Sequence, residues 1–161
     1  MRVEQLMARI VHMCAPDQSL NDAAQLMWDH DLGCVPVVDP ENKVVGMITD
    51  RDIAMAAYTQ GRTLSAIKVG DVMSRRVHTC GPSEDIDVAQ ERMRSHQLRR
   101  LAVTDATGVL VGLISLNNLA LEAAREQRLR RAPLRLDSVA LTLAKISEHR
   151  GFDQIVASAA Q

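Results

Sequence analysis

Apolar positions recur along the chain at two periods, and the two alternate. From Ser19 onward, Leu20, Ala23, Ala24 and Met27 fall on one face at helical spacing, and Ser19 followed by Asp22 is a variant of the capping box that starts helices. Two short valine-rich runs follow, residues 34–38 and 43–49, either side of the polar stretch Asp39-Pro40-Glu41-Asn42. That pattern predicts a β-hairpin. Pro36 has no N–H to give a ladder, so its strand belongs at an edge or starts outside the ladder. Helical spacing returns over residues 52–58. Short helical turns are expected at 3–7 and 69–73, each leading into an extended segment.

The whole series repeats 66 residues later. Val11-His12-Met13-Cys14-Ala15-Pro16 returns as Val77-His78-Thr79-Cys80-Gly81-Pro82, and Val45-Gly46-Met47-Ile48-Thr49 as Val111-Gly112-Leu113-Ile114-Ser115. The second long helix starts at Asp85 with Ile86, Ala89, Gln90 and Met93 in the stripe, where Gln90 is the one polar member. A second hairpin is expected from residues 101–104 and 109–115, and a helix over 118–128. The prediction is an α+β protein of two similar units, residues 1–66 and 67–132. A small duplicated unit buries one face against its copy, so a site is expected at the seam between copies.

Residues 133–161 lie outside the repeat. Pro133 stops the preceding helix, and Leu136, Val139, Ala140, Leu143 and Ile146 recur at helical spacing until Gly151. Phe152, Ile155, Val156 and Ala159 carry a further apolar stripe. So short a helical tail is not stable alone. It must pack on its own repeats or on a protein partner.

Composition narrows the function classes. Hydrophobic residues make up 47% and charged residues 24%, which fits a soluble globular protein. Trp28, Tyr58 and Phe152 are the only aromatic residues, so the core is aliphatic and base stacking on aromatic faces is not expected. A net charge of −1 gives no global attraction to nucleic acid or anionic lipid. No apolar stretch has the length of a membrane span, and the N-terminus lacks a secretion signal. Cys14, Cys34 and Cys80 are odd in number and widely spaced, which points to a reducing, cytoplasmic setting. No Cys-x-x-Cys or His-x-x-x-His spacing points to a metal site. No glycine-rich phosphate loop, serine elbow or supported His–carboxylate–nucleophile set appears, so a non-catalytic protein is expected.

At Gly46-Met47-Ile48-Thr49-Asp50-Arg51-Asp52-Ile53, and at Gly33-Cys34-Val35-Pro36-Val37-Val38-Asp39 before it, the chain resembles the CBS-domain family, named after cystathionine β-synthase. The likeness is to its standalone bacterial form with two tandem motifs. Repeat two matches more loosely, through Gly112-x-x-Ser115-x-x-Asn118, with Ala102 in place of Pro36. The resemblance spans roughly residues 3–128. It implies two β-α-β-β-α motifs packed about a pseudo-twofold axis, in a chain that forms a homodimer. It also implies a regulatory module that binds an adenosine ligand between the motifs: AMP or ATP first, NAD or S-adenosylmethionine as alternatives, with Mg2+ accompanying ATP.

By that resemblance, Asp52 and Asn118 take the ribose hydroxyls, and Thr49 and Ser115 touch ribose or phosphate. Main chain and side chains around Met13, Cys14, Val35, Pro36 and Val37, and around His78, Thr79, Cys80, Leu101, Ala102 and Val103, hold the adenine. Asn118 is neutral where an acid is commoner, and Ala102 lacks the rigid ring, so the second site is the weaker.

The residues themselves also allow plainer readings. A carboxylate that accepts from two ribose hydroxyls makes charge-assisted bonds, and free N–H groups at a helix start suit a phosphate. Thr49-x-x-Asp52 and Ser115-x-x-Asn118 read equally well as helix caps, and the two roles can coexist. Arg51 either reaches a phosphate or pairs with Asp50. His12 and His78 match across the repeats, beside a ligand or in the seam; His30 and His96 also match, at helix C-termini. Cys14 and Cys80 read as small buried apolar residues. Arg125, Arg128, Arg130, Arg131 and Arg135 form a basic cluster, read as a solvated helix face. Two rival functions stay open: a partner-binding module that docks through residues 133–161, and nucleic-acid binding by the arginine cluster.

Overall fold

A computed structural model of the chain describes residues 1–128 and 134–148, except the side chains of 127 and 128. Repeat one contains α1 (Leu20–Asp29), the hairpin of β1 (Cys34–Val38) and β2 (Val44–Thr49), and α2 (Asp50–Gln60). Repeat two contains α3 (Val69–Val72), β3 (Thr79–Cys80), α4 (Ile86–His96), β4 (Arg100–Thr104), β5 (Leu110–Ser115) and α5 (Leu116–Arg128). α6 (Leu136–Ser147) follows, and short 3-10 turns lie at Val3–Gln5 and Leu64–Ala66. These are two β-α-β-β-α units with a helical extension. The expected stop at Pro133, the stripe from Phe152 to Ala159, and the side chains of Arg128, Arg130 and Arg131 lie outside the described residues.

Local chemistry sets the elements as the repeat predicts. Ser19 caps α1 reciprocally: its Oγ accepts from the Asp22 N–H at 3.2 Å, and Asp22 accepts from the Ser19 N–H at 2.9 Å. Each hairpin turn is pinned by one aspartate. Asp39 accepts from the N–H groups of Glu41 and Lys43, both at 2.9 Å. Asp105 accepts from those of Thr107 and Val109, at 2.8 and 3.0 Å. These are Asx turns, in which the side chain stands in for a backbone acceptor.

Pro36 explains a difference between the repeats. Its carbonyl accepts from the Cys14 N–H at 3.1 Å, so its missing N–H also faces the segment around Cys14. Pairing there is limited to a single parallel bridge, Cys14 to Val37. At the matching place, Ala102 keeps its N–H, and the segment extends to the two-residue β3, with Thr79 opposite Ala102 and Cys80 opposite Val103.

The units that repeat in sequence are not the units that pack. Val3 and Met7 lie in the core formed by Ile86, Met93, Leu101 and Ile114 of repeat two. Val69 and Met73 lie in the core formed by Leu20, Met27, Val35 and Ile48 of repeat one. The backbone follows: Ala8 bridges Leu113, and Ser74 bridges Met47. Each repeat thus lends its leading segment to the other. The glycines of the two matched motifs make room for this exchange. A Cβ on Gly46 would stand 3.2 Å from the Ser74 carbonyl and inside the Met73 thioether. A Cβ on Gly112 would stand 3.1 Å from the Ala8 carbonyl and inside the Met7 thioether. The open side of each glycine is filled by the chain itself.

α6 lies on repeat two. It buries Val139, Thr142 and Ile146, while Leu136 and Leu143 of the predicted stripe are each 48% exposed. The buried face is rotated from the apolar stripe because Thr142 must meet Gln90. Gln90 is fully buried, and its Oε1 accepts from Ser138 at 3.1 Å and Thr142 at 3.3 Å. The polar interruption in the α4 stripe is the contact that seats this helix. No helix among the described residues is long and apolar enough to cross a membrane.

Candidate functional site

The hairpins meet at both of their ends. At the turns, the Val44 N–H donates to the Gly108 carbonyl at 3.1 Å, and the Leu110 N–H to the Asn42 carbonyl at 3.0 Å. At the open ends, Cys34 pairs with Thr49 in one hairpin and Arg100 with Ser115 in the other. Cys34 and Arg100 are the same position in the two repeats. The Arg100 guanidinium lies 3.2 Å from where a Gly33 Cβ would stand, beside the Asp50 carboxylate, and it opposes the rise that burial imposes on the Cys34 thiol. Cys34 and Arg100, the partners of Thr49 and Ser115 in their hairpins, therefore lie at one seam, with the guanidinium beside Gly33 and Asp50.

Both predicted polar pairs form closed boxes. Asp52 accepts from the Thr49 N–H at 2.9 Å and its hydroxyl at 2.7 Å, and the Asp52 N–H donates back to Thr49 Oγ1 at 3.2 Å. Asn118 accepts from the Ser115 N–H at 2.9 Å and its hydroxyl at 2.6 Å, and its N–H donates back at 3.3 Å. Each box caps a helix, α2 or α5, so the capping reading is met in both repeats. Thr49, Asp52, Ser115 and Asn118 are all partly exposed.

The expected adenine-facing segments are brought together within each repeat. Cys14 lies against Val37, and Thr79 and Cys80 lie against Ala102 and Val103. Val35, Val37, Leu101 and Val103 have no exposed surface and belong to the two cores. Met13 is 40% exposed, and His78 and Thr79 are partly exposed. Arg51 is exposed, and the Asp50 carboxylate accepts from the Arg51 backbone N–H at 2.7 Å while lying beside Arg100.

The histidines form a repeated arrangement that spacing alone did not reveal. His12 stacks on His30 with ring centroids 3.6 Å apart, and His78 on His96 with centroids 3.8 Å apart. Each stack ties the segment before Cys14 or Cys80 to the end of the first long helix of its repeat. Burial and the neighbouring His96, Arg76 and Arg92 hold His78 below the ordinary imidazole value. Burial pushes the Cys14 thiol up to about 11 and the Cys80 thiol up to about 12. Both behave as apolar core residues, as does the buried Cys34. No group of three or more His, Cys, Asp or Glu among the described residues could hold a metal ion.

Arg100 belongs to no motif that the sequence analysis singled out. Its place in the seam follows once the 66-residue offset sets it opposite Cys34. Two open grooves lie outside the seam. One of about 760 Å³ runs between α4 and α6, and one of about 450 Å³ between α1 and α2. Thr49, Asp52, Ser115 and Asn118 line neither of them.

Comparison with known proteins agrees with this geometry. The chain is 37% identical over 118 residues to the CBS domain-containing protein YhcV of Bacillus subtilis, covering 73% of this chain and 82% of that one. A protein with CBS domains from Burkholderia ambifaria superposes with a TM-score of 0.71 at 29% identity, covering 79% of this chain and 96% of the other. The crystal structure of CBSX2 in complex with AMP superposes with a TM-score of 0.70 at 26% identity, covering 79% and 98%. The family model for the CBS domain matches residues 3–58 and 69–125, and the chain belongs to that family as a tandem CBS pair.

Proposed function

We propose that this chain is a sensor of adenosine ligands, with AMP as the preferred occupant of the repeat-one side of the seam. In this reading the Asp52 carboxylate takes the ribose diol on the face not used by Thr49. Thr49 lies toward the phosphate, and Arg100 supplies the balancing positive charge. The adenine lies along the segments around Cys14 and Val37, beside the exposed Met13. The observation that carries the reading is the Thr49–Asp52 box, partly exposed at the open end of a hairpin that abuts Arg100. The AMP complex of CBSX2 supports the ligand class.

Asn118 offers the equivalent place in repeat two without a charge, so the second site binds more weakly. ATP with Mg2+, NAD and S-adenosylmethionine are the competing ligands. Isothermal titration with each of the three and with AMP ranks them. Saturable heat with AMP that is lost in Asp52→Ala, with the fold retained, is the expected result. Absence of heat with every ligand would remove the reading. Assembly as a homodimer belongs to the same proposal, and native mass spectrometry reads subunit number and any co-purified nucleotide together.

A further inference from the structure

The two histidine stacks match in geometry but not in their surroundings. His12 lies on His30 and His78 on His96, with ring centroids 3.6 and 3.8 Å apart. Two guanidiniums act on the second stack: Arg76, from the segment that leads into β3, and Arg92, one turn before His96 on α4. The positions 66 residues earlier hold Ile10 and Leu26. Ile10 is 86% exposed, so repeat one shows an apolar surface where repeat two carries a cation. The same pair of rings therefore exists twice, once with arginines around it and once without.

We infer that the surface formed by Arg76, His78, Arg92 and His96 is a binding site for a phosphate dianion, free or as the end group of a larger ligand. Arg92 is already oriented for it. Its Nη1 donates to the Thr79 carbonyl at 2.5 Å and lies 3.1 Å from a Glu84 carboxylate oxygen, which fixes the guanidinium against the segment that carries His78. Glu84 is held in turn, because its other oxygen accepts from the Gly81 N–H at 2.8 Å. The Glu84–Arg92 pair is neutral as a whole, so Arg76 and the imidazoles set the local charge.

An anion is what this cluster lacks. Burial, His96, Arg76 and Arg92 all disfavour a proton on His78. A dianion that arrives among these groups turns repulsion into attraction, and it binds together with a proton on the imidazole. Its two charges then match Arg76 and one imidazolium. Guanidinium and imidazolium N–H groups both donate to phosphate oxygens in charge-assisted hydrogen bonds. Access is open, since Arg76 and His96 are exposed and His78 and Arg92 partly so. This inference does not rest on the role proposed for Asp52, which belongs to repeat one.

Repeat one supplies the internal control. The imidazole Cε1–H resonances of His12 and His78 are followed by NMR across pH in the full chain, with inorganic phosphate, with AMP, and with chloride at equal ionic strength. The expected result is a rise of about one pH unit in the His78 midpoint with phosphate, and none at His12. Arg76→Ile, which places the repeat-one residue at an exposed position of repeat two, should abolish the rise, and Asp52→Ala should keep it. Far-UV circular dichroism verifies that both variants are folded. A rise with inorganic phosphate shows that the group itself suffices; a rise with AMP alone shows that a nucleoside must carry it. No rise with either probe, an equal rise at His12, a rise that survives Arg76→Ile, or one that is lost in Asp52→Ala overturns the inference.

Discussion

Asp52 and Thr49 hold each other in a closed ring of hydrogen bonds, with the carboxylate accepting at 2.9 and 2.7 Å and Thr49 Oγ1 accepting in return at 3.2 Å. Folding and the proposed recognition therefore draw on the same side chain, and the two can be separated by the choice of substitution. Asp52→Ala removes the cap and should cost about 1 kcal/mol of stability, read by urea unfolding. Asp52→Asn keeps the shape and reproduces the Asn118 arrangement of repeat two. It should unfold close to the parent while AMP affinity falls about tenfold or more, because a neutral amide cannot match a charge-assisted acceptor. A variant that is destabilised but binds AMP normally would leave Asp52 as a cap alone.

Gly46 and Gly112 should tolerate no side chain. The exchanged segments cross them so closely that Gly46→Ala or Gly112→Ala must push Met73 or Met7 aside. A loss of about 1–3 kcal/mol is expected for either variant in urea unfolding, the usual cost of overpacking. Unchanged stability would mean that the leading segments do not lie on β2 and β5.

His78 sets a direction for pH dependence. Its folded value is held below the ordinary 6.5, so the unfolded chain binds the proton more readily than the folded one. Its contribution to stability is present above 6.5 and is lost as pH falls through the lower folded value. Thermal unfolding at neutral and mildly acidic pH should show this loss, and His78→Gln should reduce it.

The thiols should be silent in the folded protein. With Cys14 and Cys80 raised to about 11 and about 12 and Cys34 buried, alkylation by iodoacetamide at neutral pH should be slow for all three. Labelling followed by mass spectrometry should find them modified together once urea unfolds the chain. Rapid labelling of one cysteine in the native protein would show that its core opens locally.

Much of this arrangement is legible in the residues. Ser19 with Asp22, Asp39 with its turn, and Thr49 with Asp52 are local pairs, and a local pair can be read from its spacing. The exchange of leading segments is not local. Ala8 meets Leu113, and no periodicity near either residue records that pairing; the signal was Met7 and Met73 recurring at the same offset as the glycines they cover. The α6 face was misjudged because apolar spacing favoured Leu136 and Leu143, whereas a buried Gln90 required Thr142. The histidine stacks join residues 18 apart in both repeats, and only the duplication of the pair hinted at them. Arg100 had the same character: a surface arginine by composition, a seam residue by topology.

The grip of an acid on a ribose diol is tested most directly by comparing the affinity of the parent chain for AMP with that for its 2′,3′-dideoxy analogue, by isothermal titration under one buffer and salt condition. AMP should bind, and the analogue should bind at least about tenfold more weakly, since charge-assisted hydrogen bonds to Asp52 are lost. Equal affinities, or no heat from either nucleotide, would contradict it.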